Sequence, residues 1–307
     1  MNKKKILIIG GTGFLGFHLC KFFLKKKWQV LSLSQTPPPK ERKLKNIKYL
    51  FGDISKPKKI KFLNNLNYQY LINCGGYVDH YNKVKTYNTH VKGCKNIYNI
   101  SLKKKLKAFI QIGSASEYGS NVSPHKESIV GKPKDNYGKN KLEVTNFFQN
   151  LENPFPFIVL RPYQIYGPYQ DNNRLIPFII NSCLRNKKFP CSSGKQLRDF
   201  LYIDDFVSAV YKVIDKKNCH GKIFNVGYGK PTKVRKVIEI IHKKIKLGKP
   251  DYGKILLRKN ESSQLFPSIK KTSKYVNWFP RVKLDKGLNK TIKYYKNFKN
   301  FYDHNKK

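Results

Sequence analysis

Acidic residues are scarce in this 307-residue chain: 18 Asp and Glu stand against 63 Lys and Arg, a formal net charge of +45. A basic excess of that size raises a nucleic-acid reading. Arginine is scarce too, at 8 of the 63 basic residues, and readers of base edges lean on its bidentate fork. The lysines run along the whole chain among many Asn and Ile, so they read as a solvated face with incidental polyanion affinity. No specific nucleic-acid partner is expected, although an anionic substrate would be drawn in.

Long apolar runs are missing. No stretch reaches the roughly 18 residues of a membrane span. The start Asn2–Lys5 is basic and precedes an apolar run, but glycines interrupt that run after four residues and no small-residue cleavage site comes after it. A cytoplasmic location with an N-terminal strand is expected. The six cysteines (Cys20, Cys74, Cys94, Cys183, Cys191, Cys219) lack C-x-x-C or Cys/His metal spacing. Reduced thiols and no metal site are expected. No internal repeat is visible.

What is present begins with "ILIIGGTGFLG" at residues 6–16. Ile6–Ile9 reads as a buried strand, and Phe17, Leu19, Cys20, Phe22, Phe23 and Leu24 come next at helical spacing. The glycines therefore lie between a strand and a helix N-terminus, where free N–H groups attract a pyrophosphate. Further strands are read at Val30–Ser34, Ile47–Phe51, Tyr70–Cys74, Ala108–Ile112 and Phe157–Leu160, with helices around 14–27, 56–66, 83–104 and 137–150. This alternation predicts an α/β fold, a doubly wound parallel sheet of Rossmann type with right-handed crossovers. Its ligand would lie at the carboxyl ends of the strands. After Leu160 the alternation weakens. A dinucleotide-binding domain over 1–160 is expected, with 195–227 packing back on it, and a smaller substrate-binding α/β domain over 161–307 with a basic tail fraying from about Lys293.

Tyr137-Gly138-Lys139-Asn140-Lys141 is a Tyr-x-x-x-Lys. On a helix, positions i and i+4 share a face, so phenol and ammonium would point into one site. A neighbouring cation favours phenolate and suits the tyrosine to acid/base work. Ser114 ends a predicted strand, where its hydroxyl could meet a substrate oxygen.

With these residues the chain resembles the extended short-chain dehydrogenase/reductases, in the branch of nucleotide-sugar epimerases, dehydratases and reductases. The likeness runs from Lys5 to about Ile292. It rests on the G-x-x-G-x-x-G loop of Gly10, Gly13 and Gly16, on Gly52-Asp53-Ile54, and on Asn73-Cys74-Gly75-Gly76. It continues through Ser114–Gly119, the Tyr137/Lys141 pair, Arg161–Pro168, Arg198-Asp199-Phe200 and Arg258–Glu261. The resemblance implies catalytic Ser114, Tyr137 and Lys141. It implies that the cofactor, NAD or NADP, is held by Gly10, Gly13, Phe14, Leu15, Gly16, Ser34, Asp53, Ile54, Cys74 and Gly75 together with Tyr137 and Lys141. It also implies a nucleotide-sugar substrate held by Gln164, Arg198, Arg258 and Glu261, with polysaccharide or lipopolysaccharide biosynthesis as the setting. A homodimer through Ile97, Ile100, Leu102, Leu106, Leu142, Phe147 and Phe148 is a further implication, and core packing explains that face equally well.

Departures from the family pattern refine the expectation. Ser34 stands where many relatives carry the acid that binds the cofactor ribose, with Gln35, Lys40 and Arg42 after it, which leaves NADP open. Gln164 replaces an Asn. His90 stands where Asn is usual, with a structural hydrogen bond as the ordinary reading of a lone histidine. The 4,6-dehydratases place an acidic pair directly after the catalytic Ser or Thr. Here Ala115 and Ser116 come after Ser114, and only a register shift would bring Glu117 into play. The expected activity is an NAD(P)-dependent epimerisation at C4, of the UDP-glucose 4-epimerase kind, by transient hydride removal. An NADPH-dependent 4-keto nucleotide-sugar reductase is the alternative, and a non-catalytic nucleotide- or nucleic-acid-binding relative is the reading from a different class.

Overall fold

The computed structural model describes residues 3–77, 82–257 and 261–304, the last six without side-chain detail. Its centre is a seven-stranded sheet. In chain order the strands are β1 Lys5–Ile9, β2 Gln29–Ser34, β3 Lys48–Phe51, β4 Tyr70–Asn73, β5 Ala108–Ile112, β6 Phe157–Pro162 and, from far along the chain, Lys222–Val226. Four short strands intervene before that last one (β7 Gln164–Tyr166, β8 Lys188–Cys191, β9 Leu197–Arg198 and β10 Phe200–Tyr202), so it is β11. The order across the sheet is β11-β6-β5-β4-β1-β2-β3, and every pairing is parallel.

The helices are α1 Phe14–Lys25, α2 Lys83–Tyr87, α3 Gly93–Leu102, α4 Asn136–Gln149, α5 Leu175–Leu184, α6 Ile203–Val213, α7 Val234–Ile245, α8 Lys270–Val276 and α9 Leu284–His304. Along β1 successive side chains serve opposite layers. Ile6 and Ile8 join the core with Leu19, Phe23, Phe206 and Val210 of α1 and α6, and Leu7 and Ile9 join that with Ile97, Val144 and Phe148 of α3 and α4. This period of two, with both faces covered, is why the strands read as unbroken apolar runs.

The expected helix at 56–66 is a 3-10 segment, Pro57–Asn65, that buries only Ile60 and Leu63. The run at 83–104 is helical over Lys83–Leu102 but carries a π-helical turn at Asn88–Lys92. Strand β11 extends the sheet beyond β6, with Lys222 opposite Ile158 and Val226 opposite Pro162.

The remaining β-structure is small. β7 pairs with β10, β8 with β13 (Lys249–Tyr252), and β9 lies between β12 (Thr232–Lys233) and β14 (Gln264–Leu265). Helix α7 covers this region with Val234, Val237, Ile238, Ile241 and Ile245, one buried stripe at helical spacing.

The chain crosses from β3 to β4 on the far side of β1, so the strand order reverses between β1 and β4. A doubly wound sheet opens a crevice at that reversal, outside the strand carboxyl ends.

Candidate active site

A continuous cleft of about 1340 Å³ runs from this crevice into the region of β7–β9. At its sheet end lies the glycine loop. Gly10 has φ +75°, and a Cβ there would sit 3.0 Å from the backbone of Cys74 and Gly75, so β1 can turn against β4 only with glycine. A Cβ on Gly16 would meet the Gly10 carbonyl oxygen at 2.2 Å, which fixes how closely α1 approaches the loop. Gly13 differs: its nearest neighbour would be that same oxygen at 3.3 Å, and its outer side faces the cleft. Gly13 opens α1 without a side-chain cap, and Gly13, Phe14, Leu15 and Gly16 line the cleft beside the helix's positive end.

Ser34, Ile54, Asp53 and Arg42 lie behind this loop and do not line the cleft. Ser34 Oγ accepts the Thr12 N–H at 3.2 Å. Ile54 is buried against Gly75 and Gly93. The Asp53 carboxylate accepts from Ser55 N at 2.9 Å and Ser55 Oγ at 2.7 Å. Partial burial pushes its titration up, and these hydrogen bonds outweigh that and hold it below the usual range. Arg42 is 7% exposed. Its guanidinium donates to the Asp171 carboxylate and the Tyr169 carbonyl, so one of the two cations that leave NADP open is already committed to the segment after β7.

At the centre of the cleft stand Ser114, Tyr137 and Lys141, with Cys74 and His90. Ser114 ends the β5 turn in extended conformation, and its Oγ accepts the Ser116 N–H at 3.1 Å. Asp135 caps α4 by accepting the Gly138 N–H at 2.7 Å, which starts the helix at Asn136 and sets Tyr137 in its first turn. Lys141, one turn on and buried, donates from Nζ to the Ile112 carbonyl at 2.7 Å and lies 5.8 Å from the Tyr137 ring centre.

The His90 ring meets the Tyr137 ring edge-on, with centroids 5.3 Å apart. Its Nε2 lies 3.1 Å from the Tyr77 carbonyl. Burial, then the Lys141 charge, push its titration down to about 3, so His90 is neutral at working pH. Glu117 is wholly buried, does not line the cleft, and pairs with Arg161 at 2.7 Å. The register shift that would make it an acid at the substrate is not present.

At the far end, Gln164, Arg198 and Glu261 line the cleft. Arg198 is held by the Leu197 carbonyl (2.8 Å) and Glu261 Oε1 (2.6 Å). Arg258 lies outside the described residues. Sequence reasoning missed Asn173, Arg174, Ser192 and Gln196, all on the cleft wall. Gln196 is 7% exposed, with an Oε1 that has no partner among the described residues. It stands two residues before Arg198, and that period-two relation is the signal that could have found it.

The sequence model of the NAD dependent epimerase/dehydratase family matches residues 6–227. A Bacillus subtilis protein named as an uncharacterised UDP-glucose epimerase is 27% identical, over 94% of this chain and 97% of that protein. The dTDP-D-glucose 4,6-dehydratase of Mus musculus is 25% identical, over 97% and 90%. A UDP-glucose 4-epimerase of Thermotoga maritima, solved with UDP-glucose, matches with a TM-score of 0.89 over 96% of this chain and 99% of that one, at 22% identity, a likeness of fold. With the glycine loop, the doubly wound sheet and the Ser114, Tyr137 and Lys141 cleft in agreement, the chain belongs to the NAD dependent epimerase/dehydratase family.

Proposed function

We propose that this protein is an NAD-dependent nucleotide-sugar epimerase that inverts a sugar hydroxyl, at C4. The observation that carries the reading is the pair of residues next to Ser114 in the cleft. These are Ala115 and Ser116, neither an acid, while Glu117 is turned under the site and paired with Arg161. Eliminating water from a sugar needs a proton donor for the departing hydroxyl and a base at the neighbouring carbon. Inverting one carbon needs, beside a carrier that takes and returns the hydride, only a group that takes and returns one proton.

The residues fit a dinucleotide. Gly13 leaves open space where a backbone must approach a pyrophosphate, and the uncapped first turn of α1 faces it. Gly10, Gly13, Phe14, Leu15, Gly16, Cys74 and Lys141 would hold it; when bound, NAD supplies the acceptor and donor of the hydride. Tyr137 moves the proton off and back onto the sugar oxygen. The Ser114 hydroxyl already accepts from Ser116 N–H, so its own hydrogen is available to orient that oxygen. Lys141, anchored on Ile112, places a fixed positive charge beside the phenol. Arg198, braced by Glu261, offers a planar cation to a diphosphate.

A one-way ketone reduction would use the same three residues, and the absence of an acid at Ser34 favours it as the second reading. Incubation with UDP-glucose, UDP-N-acetylglucosamine and 4-keto-6-deoxy sugar nucleotides, with and without NADPH, separates the two. The epimerase converts a sugar nucleotide to its C4 epimer with no net NADPH consumption. Net consumption would sink the epimerase reading.

A further inference from the structure

Beneath Ser114 lies a buried polar cluster that the proposed chemistry does not use. Glu117 is completely enclosed and accepts three hydrogen bonds. Its Oε1 takes the Ser114 backbone N–H at 2.8 Å, and its Oε2 takes Thr145 Oγ1 at 2.8 Å and Arg161 Nε at 2.7 Å. The three donors belong to three elements: the turn after β5, helix α4 and strand β6. The approach is close enough that a Cβ on Gly113 would lie 2.4 Å from Glu117 Oε1, so the residue before Ser114 must be glycine for the carboxylate to reach its place. Thr145 lies four residues after Lys141 on the same face of α4, and Lys141 in turn lies four after Tyr137.

We propose that Glu117 is a positioning residue. It ties the turn carrying Ser114 to the helix carrying Tyr137 and Lys141, and so sets the spacing of the three groups across the cleft. The inference rests on the epimerase reading for its catalytic consequence, and on the geometry alone for the link itself.

A buried ion pair is poor evidence of stability, because apolar residues of similar volume often serve as well. What distinguishes this one is where its hydrogen bonds end: on the backbone of one proposed catalytic residue and one helical turn from another. A single side chain thereby bonds both to the Ser114 turn and to the Lys141 face of α4.

Thr145→Val tests the link with little change of shape, since it removes one donor and leaves the Glu117–Arg161 pair. Thr145→Ser restores the hydroxyl. The expected result for Thr145→Val is a fall in kcat of about tenfold, the scale of a sub-ångström misplacement of reacting groups. KM for the nucleotide sugar and NAD affinity should stay within about twofold, and Thr145→Ser should recover the rate. Glu117→Gln should show the same split in its folded fraction. In parallel, amide NMR of serine-labelled protein should show the Ser114 N–H shifted in Thr145→Val and Glu117→Gln and restored in Thr145→Ser.

A wild-type kcat in Thr145→Val, or a loss that falls on KM or NAD affinity, overturns the proposal. If the wild type converts none of the nucleotide sugars, the epimerase reading has failed. The Ser114 amide then decides the link, and an unmoved signal in Thr145→Val refutes it.

Discussion

Arg42 and Asp171, far apart in sequence, are joined by a charge-assisted hydrogen bond that turns the guanidinium away from solvent; the Tyr169 carbonyl shares it. Arg42, one of the two cations that beside the acid-free Ser34 leave NADP open, is thus a strut between the loop after β2 and the segment after β7. Arg42→Ala should lower stability by about 2 kcal/mol, the scale of a hydrogen bond to a charged group. It should leave the ratio of NADP to NAD affinity within about twofold. Titration calorimetry with both cofactors, beside thermal melts, checks this: a large selective loss of NADP would mean that Arg42 leaves Asp171 for the phosphate.

Gly13 is the loop glycine that the fold itself does not require. Gly10 and Gly16 are hemmed in by backbone atoms, whereas a Cβ on Gly13 meets only one oxygen, at 3.3 Å. Gly13→Val should therefore fold with little change in melting temperature and lose at least about tenfold in dinucleotide affinity, because the side chain occupies the approach of the pyrophosphate. Calorimetric affinities equal to wild type would reduce the loop to a turn.

Local rules explain why so much of this was legible. Ile6–Ile9, Ala108–Ile112 and the glycines between β1 and α1 declare themselves through short-range periodicity and backbone sterics. The Tyr137/Lys141 pair shares a helix face by its i, i+4 spacing, and it stands out in a Lys-rich chain through Ser114 and the ordered family motifs around it. What was not legible depends on residues that meet only after folding. Glu117 looked like a displaced acid because Arg161 and Thr145, 44 and 28 residues away, are what draw it under the site. The two-residue strands β9, β12 and β14 have no pattern of their own and exist through pairing. The stretch at 56–66, expected as a helix, buries only Ile60 and Leu63, three apart, a spacing that the 3-10 turn of Pro57–Asn65 satisfies.

His90 gives a pH prediction with a definite sign. Buried beside Lys141, it titrates at about 3 when folded, against about 6.5 in an unfolded chain. Between those values the unfolded state binds the extra proton, so stability contributed by the neutral ring is present above pH 6.5 and is lost as pH falls towards 3. Wild type should lose roughly 2 kcal/mol more than His90→Asn between pH 7 and pH 5. Parallel denaturant curves for the two proteins at both pH values would show that His90 is protonated without penalty. The rate profile of the wild type above pH 5 should carry no limb that His90→Asn removes.

Tyr137 carries the proposed proton transfer, and its removal is the most direct test. Tyr137→Phe keeps the ring that meets His90 edge-on and the helix start capped by Asp135, and takes away only the hydroxyl. Melting temperature and NAD affinity should change little, while turnover falls by about two to four orders of magnitude, the scale of a positioned proton-transfer group. Lys141→Met should also lose turnover. It additionally removes an ammonium anchored on the Ile112 carbonyl within the cofactor end of the cleft, so NAD affinity should weaken as well. The two variants should agree in rate and differ in binding, which calorimetry and initial rates on one verified nucleotide sugar can read together. If Tyr137→Phe turned over that substrate at close to the wild-type rate, the proton would be travelling by another group, and the likeness to the family would reach no further than the fold and the nucleotide cleft.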